Sequence, residues 1–370
     1  MGGRPELMVS NDVLKKKGDF TAGMGLFRIS ALALIVGGMC AVVALVLLRL
    51  IDFFTNLFYF QRLSFDPANP ADNHLYALAI LVPAVGGFVI GLMARFGSER
   101  IRGHGIPEAL EAILIGRSRM SPKVAVLKPV SSAISIGSGG PFGAEGPIIM
   151  TGGACGSLLA QAFHLTAAER KTLLVAGAAG GMTATFGTPV AAVLLAVELL
   201  LFELKPRSLV PVALACTVAG ALRPYLLDPG PLFTVTGHAA ALPLVTIGSA
   251  SVIGLVCGVV ALGLTLAVYA MEDWFHKLPI HWMWWPVLGG VVVGLGGIIE
   301  PHALGVGKDV ITGLLNGGYL ENVNAYRAIL ILAFVKAVIW AAALGSGTSG
   351  GVLAPLLIMG GIAGALAGAI

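Results

Sequence analysis

The stretch GSGGPFGAEGP at residues 137–147 recurs later in the chain as GSGTSGGVLAP at residues 345–355. The positions shared by the two stretches are all 208 residues apart, and Lys128 and Lys336 upstream of them fit the same offset. A gapless internal match of this kind is typical of a duplicated structural unit. The chain is therefore predicted to contain two related repeats.

A third glycine cluster, GHGIP at residues 103–107, has a fainter counterpart in GVG at residues 305–307, near the 208-residue offset but not on it. Each proline-terminated cluster predicts a loop that opens a helix, because proline suits the first helical turn. Unpaired amides at a helix start carry partial positive charge, so three starts converging inside a membrane would form a cage for a dehydrated anion. Helix breaks that serve packing alone are the alternative. A nucleotide-binding loop is disfavoured, because no GK[ST] ending accompanies the glycines.

The composition places the chain in a membrane. Of its 370 residues, 57% are hydrophobic and 11% are charged, and the mean hydropathy is +0.91. Uncharged runs at residues 29–48 and 75–94 are long enough to cross the hydrocarbon layer as helices. Further runs without Asp, Glu, Lys, Arg or His lie at residues 239–271, 282–299 and 337–370. We therefore expect an all-α polytopic membrane protein.

The expected domains are a cytoplasmic N-terminal segment at 1–27 and a transmembrane domain at 28–370, with the first repeat at about 28–227 and a partial second repeat at about 240–370. We expect a multi-pass protein of the cell membrane. Its N-terminus is predicted to lie in the cytoplasm, because the first span is preceded by Lys15, Lys16 and Lys17. The first repeat continues for roughly 80 residues past Pro147. Fifteen residues follow Pro355, so we expect a chain truncated within its second repeat.

Glu145 lies within GAEGP, in the middle of the predicted cage. An ionisable side chain in a membrane segment is by default a functional hypothesis. Its carboxylate could itself occupy an anion site and leave that site when it is protonated. Glu145 is therefore a candidate gate and proton carrier. A structural pairing with Lys128 is the alternative.

From the first span to its end, the chain resembles the CLC family of chloride channels and proton/chloride exchangers. The motifs GHGIP, GAEGP and GGVLAP match the family's GSGIP, GREGP and GGIFAP in order and spacing. The resemblance implies an inverted-repeat fold with broken, tilted helices, a homodimer in lipid, chloride as the transported ligand and no cofactor. It assigns Glu145 as the gating glutamate, His104 in place of the anion-coordinating serine, and the anion-lining backbone to Gly105, Ile106, Ala144, Gly146, Val352, Leu353 and Ala354.

Two departures from the family pattern affect the predicted mode of transport. Aligned on FGTP at residues 186–189, the inner glutamate of the exchangers falls on Leu199, directly after Glu198. An apolar residue there is typical of channels, so the sequence favours a passive anion channel. Proton-coupled antiport is the alternative, with Glu198 and Glu203 as a candidate proton path. Ala144 replaces the family's arginine.

His104 leaves the transported anion open. Its ring could donate an N–H to the anion and hold it more strongly when protonated, or it could cap the helix start much as serine would. A carrier of another anion, such as fluoride or nitrate, is a third possibility. We expect no enzymatic activity, no metal site and no nucleic-acid partner, because the chain has no HExxH and no paired Asp.

Overall fold

The computed structural model describes residues 24–227, 229–235, 244–318 and 325–368. The predicted segment 1–27 and the start of the second repeat at 240 lie largely outside the described residues. The regular secondary structure of the described residues is helical, apart from an isolated bridge between Gly143 and Gly351. Its α-helices are α1 (Met24–Phe60), α2 (Leu81–Phe96), α3 (Ile106–Leu114), α4 (Pro122–Gly137), α5 (Glu145–Ala162), α6 (Ala167–Phe186), α7 (Pro189–Leu195), α8 (Pro206–Leu226), α9 (Leu244–His276), α10 (Trp285–Ile299), α11 (Lys308–Leu315), α12 (Ala325–Gly345) and α13 (Leu353–Gly368).

Among the described residues, six helical segments are long and apolar enough to cross a membrane. Two of them coincide with the spans predicted at 29–48 and 75–94. Shorter apolar helices lie at Pro189–Leu201 and Leu353–Ala367. The all-α polytopic fold class is thereby confirmed. The six segments are Gly25–Phe60, Tyr76–Phe96, Pro206–Leu226, Ile247–His276, Trp282–Ile299 and Tyr326–Gly345.

Helices α2 and α10 pack against each other through reciprocal glycine contacts. A Cβ added to Gly87 would overlap the Pro286 carbonyl, and a Cβ added to Gly290 would overlap the Pro83 carbonyl. Gly290 follows Gly87 by 203 positions, and Pro286 follows Pro83 by the same number. Small residues allow this close approach where no hydrophobic force drives helices together. The reciprocity is what an internal two-fold arrangement of the repeats requires.

The two buried lysines confirm the fainter match between the first glycine cluster and GVG. Lys336 donates to the carbonyls of Ala303 and Gly305, both at 2.8 Å, and Lys128 binds the GHGIP loop in the same way. The equivalent glycines are Gly103 and Gly305, 202 residues apart. The second repeat therefore has a longer segment between this loop and its lysine, 31 positions against 25 in the first repeat.

The described residues form two compact units. The first draws on Met1–Ala44, Ala109–Pro122 and Ile148–Pro229, and the second on Leu45–Glu108, Lys123–Pro147 and Gly230–Ile370. In the first unit, the Cys40 thiol donates to the Gly177 carbonyl at 3.1 Å, and α6 packs against α8. All residues of the predicted anion cage belong to the second unit.

Candidate anion site

Two helix starts meet at the glycine pair Gly143 and Gly351. The Gly143 amide donates to the Gly351 carbonyl at 3.2 Å, and the Gly351 amide donates to the Gly143 carbonyl at 2.8 Å. Helix α5 begins two residues later at Glu145, and α13 begins two residues later at Leu353. The duplicated loops thus hold each other, and they bring the N-terminal amides of two helices together.

The Glu145 side chain lies against this junction. It is 2% exposed, and its Oε1 accepts a hydrogen bond from the Ala354 amide at 3.0 Å. The Leu353 amide and its own amide also interact with the carboxylate. A Cβ added to Gly351 would lie 2.6 Å from the Glu145 carboxyl carbon, so glycine is required there. The Glu145 carboxylate thus accepts hydrogen bonds from amides that were predicted to bind an anion.

The GHGIP loop abuts the start of α5. Gly103 and Gly105 adopt positive φ angles of 79° and 101°, which side-chain-bearing residues rarely adopt. A Cβ on Gly146 would overlap the His104 carbonyl, so the two backbones are in close contact. The loop that carries His104 therefore lies directly beside the residue that follows Glu145.

The predicted Gly105 amide already has a partner. It donates to Glu108 Oε2 at 2.7 Å, so the first turn of α3 caps itself. Sequence reasoning did not consider Glu108, although a Glu three residues after the loop glycine is the spacing of a capping residue. Gly105 thus shapes the loop, while an anion-binding role for His104 and for the Ile106 amide stays a prediction.

Lys128 is fully buried and does not pair with Glu145. Its ammonium group donates to the carbonyls of Ile101 at 2.9 Å and Gly103 at 2.8 Å. These contacts differ from the alternative in which Glu145 is the structural partner of Lys128. Lys128 instead fastens the loop that carries His104.

A buried hydroxyl pair links the two loop regions. Ser132 on α4 and Ser349 lie 2.7 Å apart, and both side chains are fully buried. Sequence reasoning missed this contact, because single serines separated by 217 residues form no pattern along the chain. The pair helps to fix the second glycine loop against α4.

Comparison with known protein families decides the identity of this fold. The family model described as voltage gated chloride channel matches residues 85–370. The chain belongs to this CLC family. The motif-based resemblance and the inverted-repeat fold class are thereby confirmed.

The curated relatives include proteins described as channels and as exchangers. The ClcB-like chloride channel protein of Ralstonia nicotianae is 27% identical over 78% of this chain and 67% of its own length. The H(+)/Cl(−) exchange transporter ClcA of Salmonella arizonae is 28% identical over 77% of this chain and 61% of its own length. The chloride channel protein CLC-f of Arabidopsis thaliana is 28% identical over 78% of this chain and 38% of its own length. The chain thus spans between 38% and 67% of these relatives.

Solved structures share the fold. A slow cyanobacterial Cl−/H+ antiporter superposes with a TM-score of 0.74 at 20% identity, covering 92% of this chain and 77% of the antiporter. A CLC-type fluoride/proton antiporter superposes with a TM-score of 0.76 at 19% identity, covering 94% of this chain and 84% of that protein. At such identities the likeness shows the CLC fold alone.

The residues considered for the CLC proton path lie in the first compact unit. Glu198 and Leu199 lie in a π-helical turn, Ala196–Leu201, and Leu199 is 39% exposed. Glu203 follows this turn and accepts a hydrogen bond from Ser208 at 2.5 Å. Its Oε2 also lies 3.5 Å from Lys205 and 3.7 Å from Arg207. The two candidate carboxylates therefore differ, because Glu203 is held in an ion-pair cluster and Glu198 is exposed.

Proposed function

We propose that this CLC protein exchanges protons for chloride across a membrane. The apolar Leu199 favours a passive channel, but a curated relative is described as an H(+)/Cl(−) exchange transporter. The two superposed structures are likewise described as proton-coupled antiporters. Antiport therefore has more support than the channel interpretation.

The observation that carries the proposal is the Glu145 carboxylate bound to the N-terminal amides of α13. An ionised carboxylate accepts stronger hydrogen bonds from such amides than a neutral carboxyl group does. Protonation therefore weakens its hold on the Ala354 amide, and a chloride ion can replace it. Because the ionised carboxylate and the anion compete for one set of donors, proton binding to Glu145 favours anion binding, and movement of one ion is coupled to movement of the other.

The cage binds by dipoles instead of by a full cation. Lys128, the basic residue at the adjacent loop, is occupied by backbone carbonyls. Partial charges at helix starts can hold an anion weakly enough for it to leave, as conduction requires. This arrangement suits transport better than storage of the ion.

Chloride is the proposed anion, and fluoride is the competing candidate. One structural neighbour is described as a fluoride/proton antiporter, and His104 stands where the family motif has serine. Competition assays with fluoride and nitrate against labelled chloride would rank the anions. Strong inhibition by chloride and weak inhibition by fluoride is the expected order, and the reverse order would reassign the substrate.

The test of antiport is proton uptake in liposomes. Full-length protein reconstituted under an outward chloride gradient is expected to acidify the vesicle interior as chloride leaves. Glu145→Gln removes the ionisable group, so chloride efflux should continue while coupled proton uptake is lost.

Glu111→Gln on the exposed surface of α3 is the matched control and should behave as wild type. Chloride efflux without proton uptake in the wild-type protein would refute antiport and restore the channel interpretation.

We also propose that the protein assembles as a homodimer, as the family resemblance implies. Cross-linking in lipid followed by mass determination would test this. A dimer band is expected, and a strictly monomeric protein would contradict the proposal.

A further inference from the structure

The His104 ring has a buried nitrogen without a partner. Nδ1 is inaccessible and makes no hydrogen bond within the part of the chain that the structure describes. Buried polar atoms in proteins nearly always have a protein or water partner. An imidazole nitrogen in this state is able to bind a proton or a hydrogen-bonded water.

The position of this ring is fixed beside the gate. Lys128 holds the preceding Gly103 carbonyl, and Glu108 holds the following Gly105 amide. The His104 carbonyl itself lies against Gly146, the residue after Glu145. The ring therefore belongs to a loop clamped on both sides and placed at the start of the helix that carries the gate.

The charged neighbours of His104 are already engaged. Lys128 and Glu108 act electrostatically on the ring, but their hydrogen bonds hold them to the backbone of the loop. The Arg102 guanidinium packs over Trp282 at 4.7 Å. The charged groups that act on the His104 ring are therefore Glu108 on α3 and Lys128 on α4.

Antiport needs a second proton station, and two of the positions first considered, Leu199 and Glu203, are poorly suited. Leu199 has no ionisable group. Burial raises the pKa of Glu203, but the hydrogen bond from Ser208 and the cations Arg207, Lys205 and Lys171 outweigh burial and hold that pKa below its ordinary value. Glu203 therefore stays ionised at neutral pH and does not readily pick up a proton.

We infer that His104 is this station and relays protons between the aqueous solution and Glu145. The neutral ring takes up a proton from solution and gives an imidazolium. It then passes to a Glu145 carboxylate oxygen, directly or through one water, and the ring returns to its neutral form. One proton moves, no electrons are exchanged, and histidine is suited to this because it changes charge between pH 5 and 8. The inference rests on the proposed antiport.

The test is the number of protons moved per chloride in liposomes. His104→Gln keeps an N–H donor for the anion but cannot carry a proton, and His104→Ser supplies the family's hydroxyl. Both variants are expected to transport more slowly, and their proton-to-chloride ratio should fall about a hundredfold, the lower end of the range for loss of a positioned acid–base group. His164→Ser, at an exposed site in the first unit, is the control and should keep the wild-type ratio.

The outcomes separate this inference from antiport itself. If wild-type protein moves no protons, the proposed function fails. If wild-type protein is coupled and both His104 variants keep its ratio, even at reduced flux, His104 acts only on the anion or on folding and the relay is wrong. The expected result is a lower proton-to-chloride ratio in both variants, with residual chloride flux as evidence that they fold.

Discussion

At Lys128 and Lys336 a side-chain amino group is buried against carbonyl oxygens, and no carboxylate of the described residues is in hydrogen-bond contact with either group. Each ammonium group satisfies acceptors that would otherwise be unpaired in the loop before a short helix. The sequence showed that the two lysines are equivalent, because they share the 208-residue offset. Their partners could not be predicted, because backbone carbonyls leave no trace in the residue pattern.

Lys128→Met should therefore destabilise the GHGIP loop. Each buried carbonyl left without a donor costs about 1–3 kcal/mol, and Ile101 and Gly103 would both lose their donor. We expect a lower melting temperature in detergent, measured by tryptophan fluorescence, and reduced chloride flux. Lys336→Met is the symmetric comparison and should lower the melting temperature similarly. An unchanged melting temperature in both would show that the lysines do not hold these loops.

At the scale of elements, the three glycine–proline clusters correctly predicted where α3, α5 and α13 begin. Proline and glycine have few backbone alternatives, so their local pattern is informative. The pairing of Gly143 with Gly351 and of Ser132 with Ser349 could not be read in this way. These contacts join residues more than 200 positions apart, and many sequences without them would carry the same loop motifs.

Gly351→Ala tests the packing of the gate against the second loop. The new methyl group would lie 2.6 Å from the Glu145 carboxyl carbon and 2.7 Å from the Gly143 carbonyl oxygen. It should displace the carboxylate from the Ala354 amide and raise uncoupled chloride leakage severalfold in a flux assay. Gly360→Ala on α13, the helix that follows this loop, has open space around it and should behave as wild type. Equal leakage in the two variants would mean that Glu145 is not seated by this contact.

For the whole molecule, the internal offset predicted a duplicated fold, and the family comparison and the reciprocal contacts confirm it. The sequence did not predict the two compact units, whose boundaries cut through α1, α3, α4 and α5. Repeats are defined by similarity along the chain, whereas compact units are defined by packing, and a long helix can contribute to both units. The predicted domain limits at 28–227 and 240–370 remain predictions.

Close helix contact through glycine should dominate the stability of the second unit. Gly290→Ala would bring a methyl group 2.6 Å from the Pro83 carbonyl carbon, and overpacking of this kind costs about 1–3 kcal/mol. We expect a lower melting temperature. Gly258→Ala on α9 meets nothing within 4 Å and serves as the matched control. A control that is destabilised as much as Gly290→Ala would contradict the role of the α2–α10 contact.

The central claim is that the Glu145 carboxylate and the transported anion use the same backbone amides. A crystal structure of Glu145→Ala grown in bromide tests this most directly, because bromide replaces chloride and is located by anomalous scattering. The account predicts a bromide peak within about 3–3.5 Å of the Ala354 amide nitrogen, near ordinary hydrogen-bond range, where the carboxylate lies in the wild-type protein. Strong bromide sites elsewhere in the pathway, with none at this amide, would contradict it.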